Sequence, residues 1–239
     1  MNPPTFGTHI IANIDPHEIV ACIDRDVLFA ARWNLKADLT SEAWQQRIAE
    51  VAVPTLARLT SLSLTRALVK PRVVYGFFPC EKKGNLLFVP QGGRTIRFDF
   101  PRERATPNRC LADFFPDKFV TMTLVTIGNE IDREGARLFK DHQYADAFYL
   151  KGFAAEATEA LANLVHARIA TELGGDVTHG ARFSFGYPPC PNLMDQEKLV
   201  QLLDARRIGV TLTRTMHLIP EHSTSALISF DPKAARFIP

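Results

Sequence analysis

The stretch Arg182-Phe183-Ser184-Phe185-Gly186-Tyr187-Pro188-Pro189-Cys190-Pro191 limits how the chain around it can fold. Proline fixes φ and removes a backbone N–H donor, so a strand cannot continue from Pro188 to Pro191. Glycine lets the chain turn sharply or approach a ligand closely. The segment is therefore predicted to be a rigid loop that begins with a fixed positive charge. Rigid loops held by a scaffold often carry binding residues, and a plain connection between a strand and a helix is the alternative.

Length and composition are those of an ordinary globular protein. The chain has 239 residues, 46% of them hydrophobic and 23% charged, and its formal net charge is +2. Such a small charge gives no reason to expect a nucleic-acid partner. The sequence has no run of about 18 apolar residues, so no membrane-spanning helix is expected. The first five residues lack the basic and apolar regions of a signal peptide, which makes a cytoplasmic location the expectation.

The cysteines and histidines predict neither a disulfide framework nor a metal site. The cysteines are widely scattered, contain no Cys-x-x-Cys pair and are expected to be buried, reduced thiols. They are Cys22, Cys80, Cys110 and Cys190. His217 and His222 are close in sequence but lack metal partners at ligand spacing. A phosphate loop, a Gly-x-Ser-x-Gly elbow and a dinucleotide fingerprint are also missing from the sequence.

The order of apolar patterns predicts an α+β fold. Helices are predicted over residues 17–24, from residue 41 through a kink or break at Pro54, over 132–173 with a break near Asp141-His142, and over 197–204. Strands are predicted over residues 71–79, 86–89, 95–100, 120–128, 210–213 and 225–230, and residues 82–85 are predicted to turn a hairpin between the first two. Residues 1–14 are predicted to form an extended arm. Because strands and helices are segregated, the sheet is predicted to be antiparallel and flanked by helices.

Charged residues beside apolar segments are the candidates for chemistry. Asp24 precedes an apolar run, Glu159 lies on an Ala-rich helix and Asp176 follows a glycine stop. Acids in such places are usually partnered or functional. Together with Arg182 they would suit a ligand that has a cationic end and a carboxylate, because a guanidinium matches a carboxylate in a planar fork. The alternative is that Arg182 pairs with Asp176 inside the protein.

The segment that begins at Arg182 resembles the Arg-x-x-x-Gly-Tyr-Pro-Ala-Cys-Pro motif of the activation domain of cobalamin-dependent methionine synthase. Other segments resemble elements of that family in the same order along the chain. They are Ile23-Asp24 with the apolar run after it, residues 74–79, residues 110–114, the helix over residues 153–168 with Glu159, and residues 208–213. The resemblance divides the chain into an arm with a short helix, residues 1–22, and an activation-domain-like unit, residues 23–239.

This resemblance implies a C-shaped unit with a twisted antiparallel sheet that binds S-adenosylmethionine and caps a corrinoid. An electron from flavodoxin or another reductase, and a methyl group from S-adenosylmethionine, would restore methylcobalamin from cob(II)alamin on a partner protein. The ligand residues that the resemblance implies are Asp24, Glu159, Asp176, Arg182, Ser184 through its backbone, Gly186 and Tyr187. Arg182 would hold the ligand carboxylate. Tyr187 would face the reacting methyl group and is the implied catalytic residue.

Four departures from the family pattern are visible, one of them Leu212-Thr213-Arg214-Thr215 in place of Leu-Thr-Glu-Ser. Pro189 stands at the position of the motif's Ala, and residues 192–198 replace a short His-Thr-Glu-Lys link. Ala226-Leu227-Ile228-Ser229 replaces a Gly-Trp-Tyr-Phe strand near the ligand, which would remove an aromatic wall.

Three hypotheses of function follow. The first is a stand-alone component of a split methionine synthase, which supports reductive methylation of cobalamin on a separate corrinoid-binding component. The second, motivated by Ile228 and Ser229, is a non-catalytic cap or S-adenosylmethionine sensor. The third is a reactivating protein for another corrinoid methyltransferase, for which the longer loop at residues 193–196 would provide a different docking surface.

Overall fold

A computed structural model describes residues 3–36, 40–104, 108–176 and 180–237. The strands are β1 (Gly7–Ile11), β2 (Arg72–Pro79), β3 (Glu81–Lys83), β4 (Leu86–Gln91), β5 (Arg94–Asp99), β6 (Phe119–Thr126), β7 (Ala181–Phe183), β8 (Thr211–Leu212), β9 (Leu218–Ile219) and β10 (Ser223–Ser229). The helices are α1 (Pro16–Ala21), α2 (Arg25–Val27), α3 (Ser41–Arg47), α4 (Val53–Thr65), α5 (Glu130–Lys140), α6 (Tyr144–Glu172) and α7 (Asp195–Leu203). The predicted α+β class with antiparallel sheets and flanking helices is confirmed.

A five-stranded antiparallel sheet, in the order β1-β2-β6-β10-β7, forms the centre of the molecule. Its middle strands are buried on both faces, since all eight residues of β6 are buried. Successive side chains of a strand point to opposite faces. Val73 and Tyr75 accordingly pack into one hydrophobic cluster, whereas Val74 between them packs into another. The sheet therefore separates two cores.

The two cores are covered by different elements. On one face, α1, α4 and α6 supply the packing residues, with Phe153 and Leu161 of α6 fully buried. On the other face lie a small sheet, in the order β3-β4-β5, and α7, whose Leu199 is fully buried. The long α6 holds one side of the sheet in place over 29 residues. It also places a polar residue, Glu159, at the edge of the sheet that β7 forms, where Glu159 contacts Arg182.

The N-terminal arm is the edge strand of the central sheet. β1 pairs antiparallel with β2, with Thr8 opposite Gly76. The close approach of the two strands requires Gly76, because a Cβ there would lie 2.9 Å from the carbonyl oxygen of Gly7. The helix predicted after Asp15 is present as α1, and the Asp15 side chain accepts a hydrogen bond from the His17 N–H.

The prediction that residues 71–79 and 86–89 pair with each other in a hairpin is wrong. β4 pairs with the short β3 and with β5, and not with β2. The turn at residues 82–85 joins β3 to β4, as the Gly84 φ of +63° permits. Since β2 is buried on both faces between β1 and β6, its neighbours in the sheet come from distant parts of the chain.

The helix expected to kink or break at Pro54 continues through it. A π-helical segment, Ile48–Ala52, joins α3 to α4, and Pro54 lies in the first turn of α4. Pro54 has no N–H to donate, and it lies directly after the π-helical segment, where the regular i→i−4 hydrogen bonding of the helix is already interrupted. The break predicted near residues 141–142 is confirmed as the turn between α5 and α6.

Candidate functional site

The Pro-rich loop leaves the edge strand β7 and closes on itself. The Cys190 N–H donates to the Tyr187 carbonyl at 2.9 Å, and the Gly186 N–H donates to the Cys190 carbonyl at 3.0 Å. Pro188 and Pro189 occupy the centre of the resulting turn. Gly186 has a φ of +91°, a backbone conformation that favours glycine. The loop is therefore held by its own backbone, as its composition predicted.

The thiol of Cys190 fastens the same loop from inside. It donates to the Ser184 carbonyl at 2.9 Å, and the side chain is buried. Burial, with a smaller effect of the Asp195 carboxylate, raises the pKa of the Cys190 thiol to about 12. The thiol thus stays protonated at neutral pH and acts as a hydrogen-bond donor. Ser184 O and Gly186 N–H, two backbone groups expected near a ligand, are engaged within the loop.

A groove of about 710 Å³ lies between this loop and the start of β10. Its size is in the range of small-molecule sites. The residues that line it are Glu159, Arg182, Phe183, Ser184, Phe185, Tyr187, Pro188, Pro189, Leu193, Gln196, Met216, His217, Leu218, Glu221, Ser223, Thr224 and Ser225. One wall is the rigid loop, and the opposite wall is the chain around β9 and β10.

Arg182 forms an ion pair at one side of the groove. Its Nη2 donates to Oε2 of Glu159 at 2.9 Å, and the arginine side chain is only 20% exposed. Burial lowers the pKa of Arg182, and the Glu159 carboxylate opposes that effect. Nη1 of the same guanidinium is buried and has no hydrogen-bond partner among the residues that the structure describes. An unsatisfied buried donor is costly, so this nitrogen is suited to a ligand acceptor.

A second ion pair lies one helical turn before Glu159. Glu156 is 5% exposed, and its carboxylate accepts a hydrogen bond from Arg32 Nε at 3.1 Å. Burial is the largest influence and raises the pKa of Glu156, Arg32 opposes it, and the negative charges of Glu159 and Asp24 add to the rise. Asp24, Arg32, Glu156, Glu159 and Arg182 therefore influence one another, and we refer to these five residues as the charge cluster.

The structure brings together only some of the residues predicted for the ligand. Glu159, Arg182, Ser184 and Tyr187 line the groove, whereas Asp24 and Asp176 are not among its lining residues. Asp24 caps α2, where its carboxylate accepts from the Val27 N–H at 3.0 Å.

Asp176 and Gly186, both predicted to bind the ligand, are not among the residues that line the groove. Asp176 is exposed and immediately precedes residues 177–179, which lie outside the described residues. Gly186 shapes the loop without being a lining residue. The proposed internal partner of Arg182 was Asp176, and the ion pair that the structure gives to Arg182 is with Glu159.

Sequence reasoning missed the opposite wall of the groove. Gln196 is 7% exposed and its Oε1 accepts from the Ser225 hydroxyl at 3.2 Å. Its Nε2 donates to the Met216 carbonyl. His217 and Glu221 also line this wall. Nothing in their spacing marks them, because Gln196 of α7 and Ser225 of β10 meet only through the tertiary fold, and His217 and Glu221 lie beside the short β9.

The substituted strand near the ligand lies in the core. Ile228 is 1% exposed, and the buried Ser229 hydroxyl donates to the Phe114 carbonyl at 2.5 Å. The residues of β10 that line the groove are Ser223, Thr224 and Ser225. The expectation that Ile228 and Ser229 remove a wall of the groove is therefore not supported by their position.

In residues 3–36, 40–104, 108–176 and 180–237, groups of three or more side chains suited to a metal ion do not occur. Within the same residues, each helix is too short or too polar to cross a bilayer.

A groove of this size with a few charged groups beside a rigid loop has the features that are typical of small-molecule sites. The family can be stated more closely. The chain belongs to the family described as vitamin B12 dependent methionine synthase, activation domain, whose profile matches residues 15–238. The resemblance seen in the sequence is thereby confirmed.

Two relatives are methionine synthases of mycobacteria. The protein of Mycobacterium tuberculosis is 32% identical over 272 aligned positions, which cover 98% of this chain and 23% of that protein. The protein of Mycobacterium leprae is 31% identical with the same coverage. This chain therefore spans about a quarter of the length of these relatives.

A solved structure has the same fold. It is described as the MetH reactivation domain bound to AdoHcy, and it superposes with a TM-score of 0.79 at 22% sequence identity. The match covers 96% of this chain and 80% of the other.

Proposed function

We propose that this activation domain binds S-adenosylmethionine in the groove beside the Pro-rich loop and supports reductive remethylation of a corrinoid. The observation that carries the proposal is the guanidinium of Arg182, whose buried Nη1 lacks a partner among the described residues while Nη2 is held by Glu159. The family supports it, as does the AdoHcy ligand of the structural relative.

The residues fit the charges of S-adenosylmethionine. The ligand carries a carboxylate, an ammonium and a sulfonium, so its net charge at neutral pH is positive. The Arg182 guanidinium would bind the carboxylate through Nη1, while Glu159 keeps the guanidinium oriented through Nη2. The acids of the charge cluster favour the two cationic groups. S-adenosylmethionine supplies the methyl group, and the residues of this chain position it.

Tyr187 belongs to the rim of the groove. Its side chain is 65% exposed, although its backbone is fixed by the turn to Cys190. A rigid turn that carries an exposed aromatic ring can hold two reactants in a fixed relation. In our proposal Tyr187 lies between bound S-adenosylmethionine and the corrinoid of the partner.

More specifically, we propose that the corrinoid is bound by a separate protein and not by this domain. The chain would act as a component of a split methionine synthase, docking on a corrinoid-binding component and receiving the electron through flavodoxin or another reductase. The methionine synthase relatives support a corrinoid partner in general. A reactivating role toward another corrinoid methyltransferase is the competing outcome of the functional assay below.

The binding experiment is calorimetric titration of the purified chain with S-adenosylmethionine. Arg182→Ala should weaken binding by about 10- to 100-fold, the loss expected for a hydrogen bond to a charged group. Arg94→Ala, which removes an exposed arginine on β5 that does not line the groove, is the control and should bind like the unmodified chain. Equal affinities of Arg182→Ala and the control would refute the site.

The functional experiment adds a cob(II)alamin-loaded corrinoid protein and a chemical reductant. With S-adenosylmethionine, the chain should accelerate formation of methylcobalamin on a methionine synthase corrinoid module added in trans. If methylcobalamin formation is accelerated only with the corrinoid protein of a different methyltransferase, the chain is a reactivating protein for that methyltransferase. Binding without any acceleration would favour the non-catalytic cap or sensor.

A further inference from the structure

Neither residue of the Arg32–Glu156 ion pair lines the groove. Glu156 lies on α6 one turn before Glu159, so both carboxylates occupy the same face of the helix. It is buried, whereas the groove is lined by Glu159. A charge that lies behind the groove wall acts on a ligand through its field and not through contact.

The formal charges of the charge cluster match one form of the ligand. Three carboxylates, Asp24, Glu156 and Glu159, stand against two guanidiniums, Arg32 and Arg182, which leaves one negative charge. S-adenosylmethionine has one net positive charge. S-adenosylhomocysteine, which lacks the sulfonium, is neutral as a zwitterion. The two ligands differ by one methyl group and by one positive charge, and a net negative cluster attracts the ligand that carries this charge.

We infer that Glu156, held by Arg32, is a positioning residue that makes the groove prefer S-adenosylmethionine over S-adenosylhomocysteine by keeping the charge cluster net negative. The inference rests on the proposed function. Loss of the Glu156 charge would leave the cluster formally neutral. The preference for the sulfonium would then fall, while the shape of the groove stayed the same.

The size of the effect follows from distance. One helical turn is about 5.4 Å, so the Glu156 carboxylate lies roughly 10 Å from a sulfonium that contacts Glu159. A unit charge at that distance, with an effective dielectric constant between about 20 and 40, changes affinity by about 5- to 15-fold. The neutral ligand should respond by less than about threefold, because its opposite charges largely cancel.

The test compares affinities for both ligands in four proteins by calorimetry. Glu156→Gln should lower the affinity for S-adenosylmethionine about 5- to 15-fold and that for S-adenosylhomocysteine by less than about threefold. The double variant Arg32→Gln/Glu156→Gln keeps one net negative charge and should regain the preference to within about twofold. Glu50→Gln, an exposed acid on the π-helical segment, removes the same charge elsewhere and is the matched control.

A pH series on the unmodified chain adds a readout that needs no variant. The Glu156 carboxyl is faced by Arg32, Glu159 and Asp24, and burial raises its pKa. The preference for S-adenosylmethionine should therefore fall as the pH is lowered through this raised pKa. In the double variant, which lacks the Glu156 carboxyl, that step should be missing.

The outcomes separate the inference from the proposed function. If the unmodified chain binds neither ligand, the proposed function is wrong. If it binds S-adenosylmethionine but Glu156→Gln weakens both ligands equally, Glu156 has only a structural role and the inference is overturned. A double variant as unselective as Glu156→Gln would overturn it as well. If Glu156→Gln does not fold, the pH series and the double variant still test whether the Glu156 charge sets the ligand preference.

Discussion

Tyr187 and Arg182 are only five positions apart but experience opposite environments. The Arg182 side chain is 20% exposed and tied to Glu159, whereas Tyr187 is 65% exposed on a turn with fixed backbone. An aromatic ring on a rigid turn loses little conformational entropy when a partner contacts it. The arginine is thus placed to anchor a small ligand, and the tyrosine is placed to meet a second, larger one.

This difference predicts separate effects on binding and on methyl transfer. Tyr187→Ala should leave the affinity for S-adenosylmethionine within about threefold but slow corrinoid remethylation by about tenfold or more, since positioning is lost. Tyr144→Ala, which truncates another exposed aromatic residue at the start of α6, is the control. Calorimetry and the remethylation assay measure the two effects. A parallel loss of affinity and rate in Tyr187→Ala would contradict the separation.

At single positions, the sequence predicts residue types better than partners. The sequence identified Glu159 and Arg182 by chemistry and family resemblance, but it left open which acid Arg182 meets. Glu156 was missed altogether. Its partner Arg32 is 124 positions away, and an ion pair over that separation leaves no trace in local spacing.

Among the elements, α6 packs closely against the π-helical segment Leu28–Arg32 and the Trp33 that follows it, beside the charge cluster. A Cβ on Gly152 would lie 2.7 Å from Trp33 Cδ1 and 3.2 Å from Arg32 Cβ. Trp33 cannot move away easily, since it is 2% exposed and its Nε1 donates to the Tyr149 carbonyl at 2.9 Å. Gly152 therefore lets the Arg32 segment approach Glu156.

Gly152→Ala should destabilise the fold by about 1–3 kcal/mol, the cost of overpacking a tight contact. Gly135→Ala is the matched control, because it lies in helix α5 and an added Cβ meets no atom within 4 Å. That variant should stabilise by about 0.5–1 kcal/mol, as alanine is the better helix former. Chemical denaturation measures both. A neutral or stabilising Gly152→Ala would show that α6 and Trp33 are more loosely packed than described.

Elements with strong local patterns were predicted well, and those fixed by distant pairing were not. Local sequence signals identified α1, α5, α6 and α7, among them the Asp15-Pro16 start of α1 and the Ala-rich composition of α6. The short β7 was missed, because three residues before a Pro-rich loop carry no alternation, and only pairing with β10 makes them a strand. The hairpin was misassigned for a related reason: β2 is buried on both faces, so its apolar run does not reveal its neighbours.

Over the whole molecule, the central sheet couples the two hydrophobic cores because its middle strands contribute side chains to both. Each middle strand contributes alternate side chains to the helical cluster and to the cluster under α7. A domain in which the same strands serve two cores cannot lose one core and keep the other intact. Unfolding is therefore expected to be a single cooperative transition.

The two tryptophans provide a way to test this coupling. Trp33 and Trp44 both pack on the helical side, whereas Leu199 is fully buried on the other side. Leu199→Ala should cost about 2–5 kcal/mol, from lost burial and the cavity left behind. Tryptophan fluorescence and far-ultraviolet circular dichroism should report the same shifted midpoint. A fluorescence midpoint that stayed at its original value would mean that the two cores unfold separately.

The distribution of thiols has a practical consequence for studying the ligand groove. Burial raises the pKa of Cys80 to about 11 and that of Cys190 to about 12, and it also raises that of the buried Cys110. Thiolates are the reactive species, so these three react slowly with maleimides at neutral pH. The expectation that all four thiols are buried is wrong for Cys22, which is exposed and lies two positions before Asp24. A fluorophore attached there would report on the charge cluster without any cysteine being engineered.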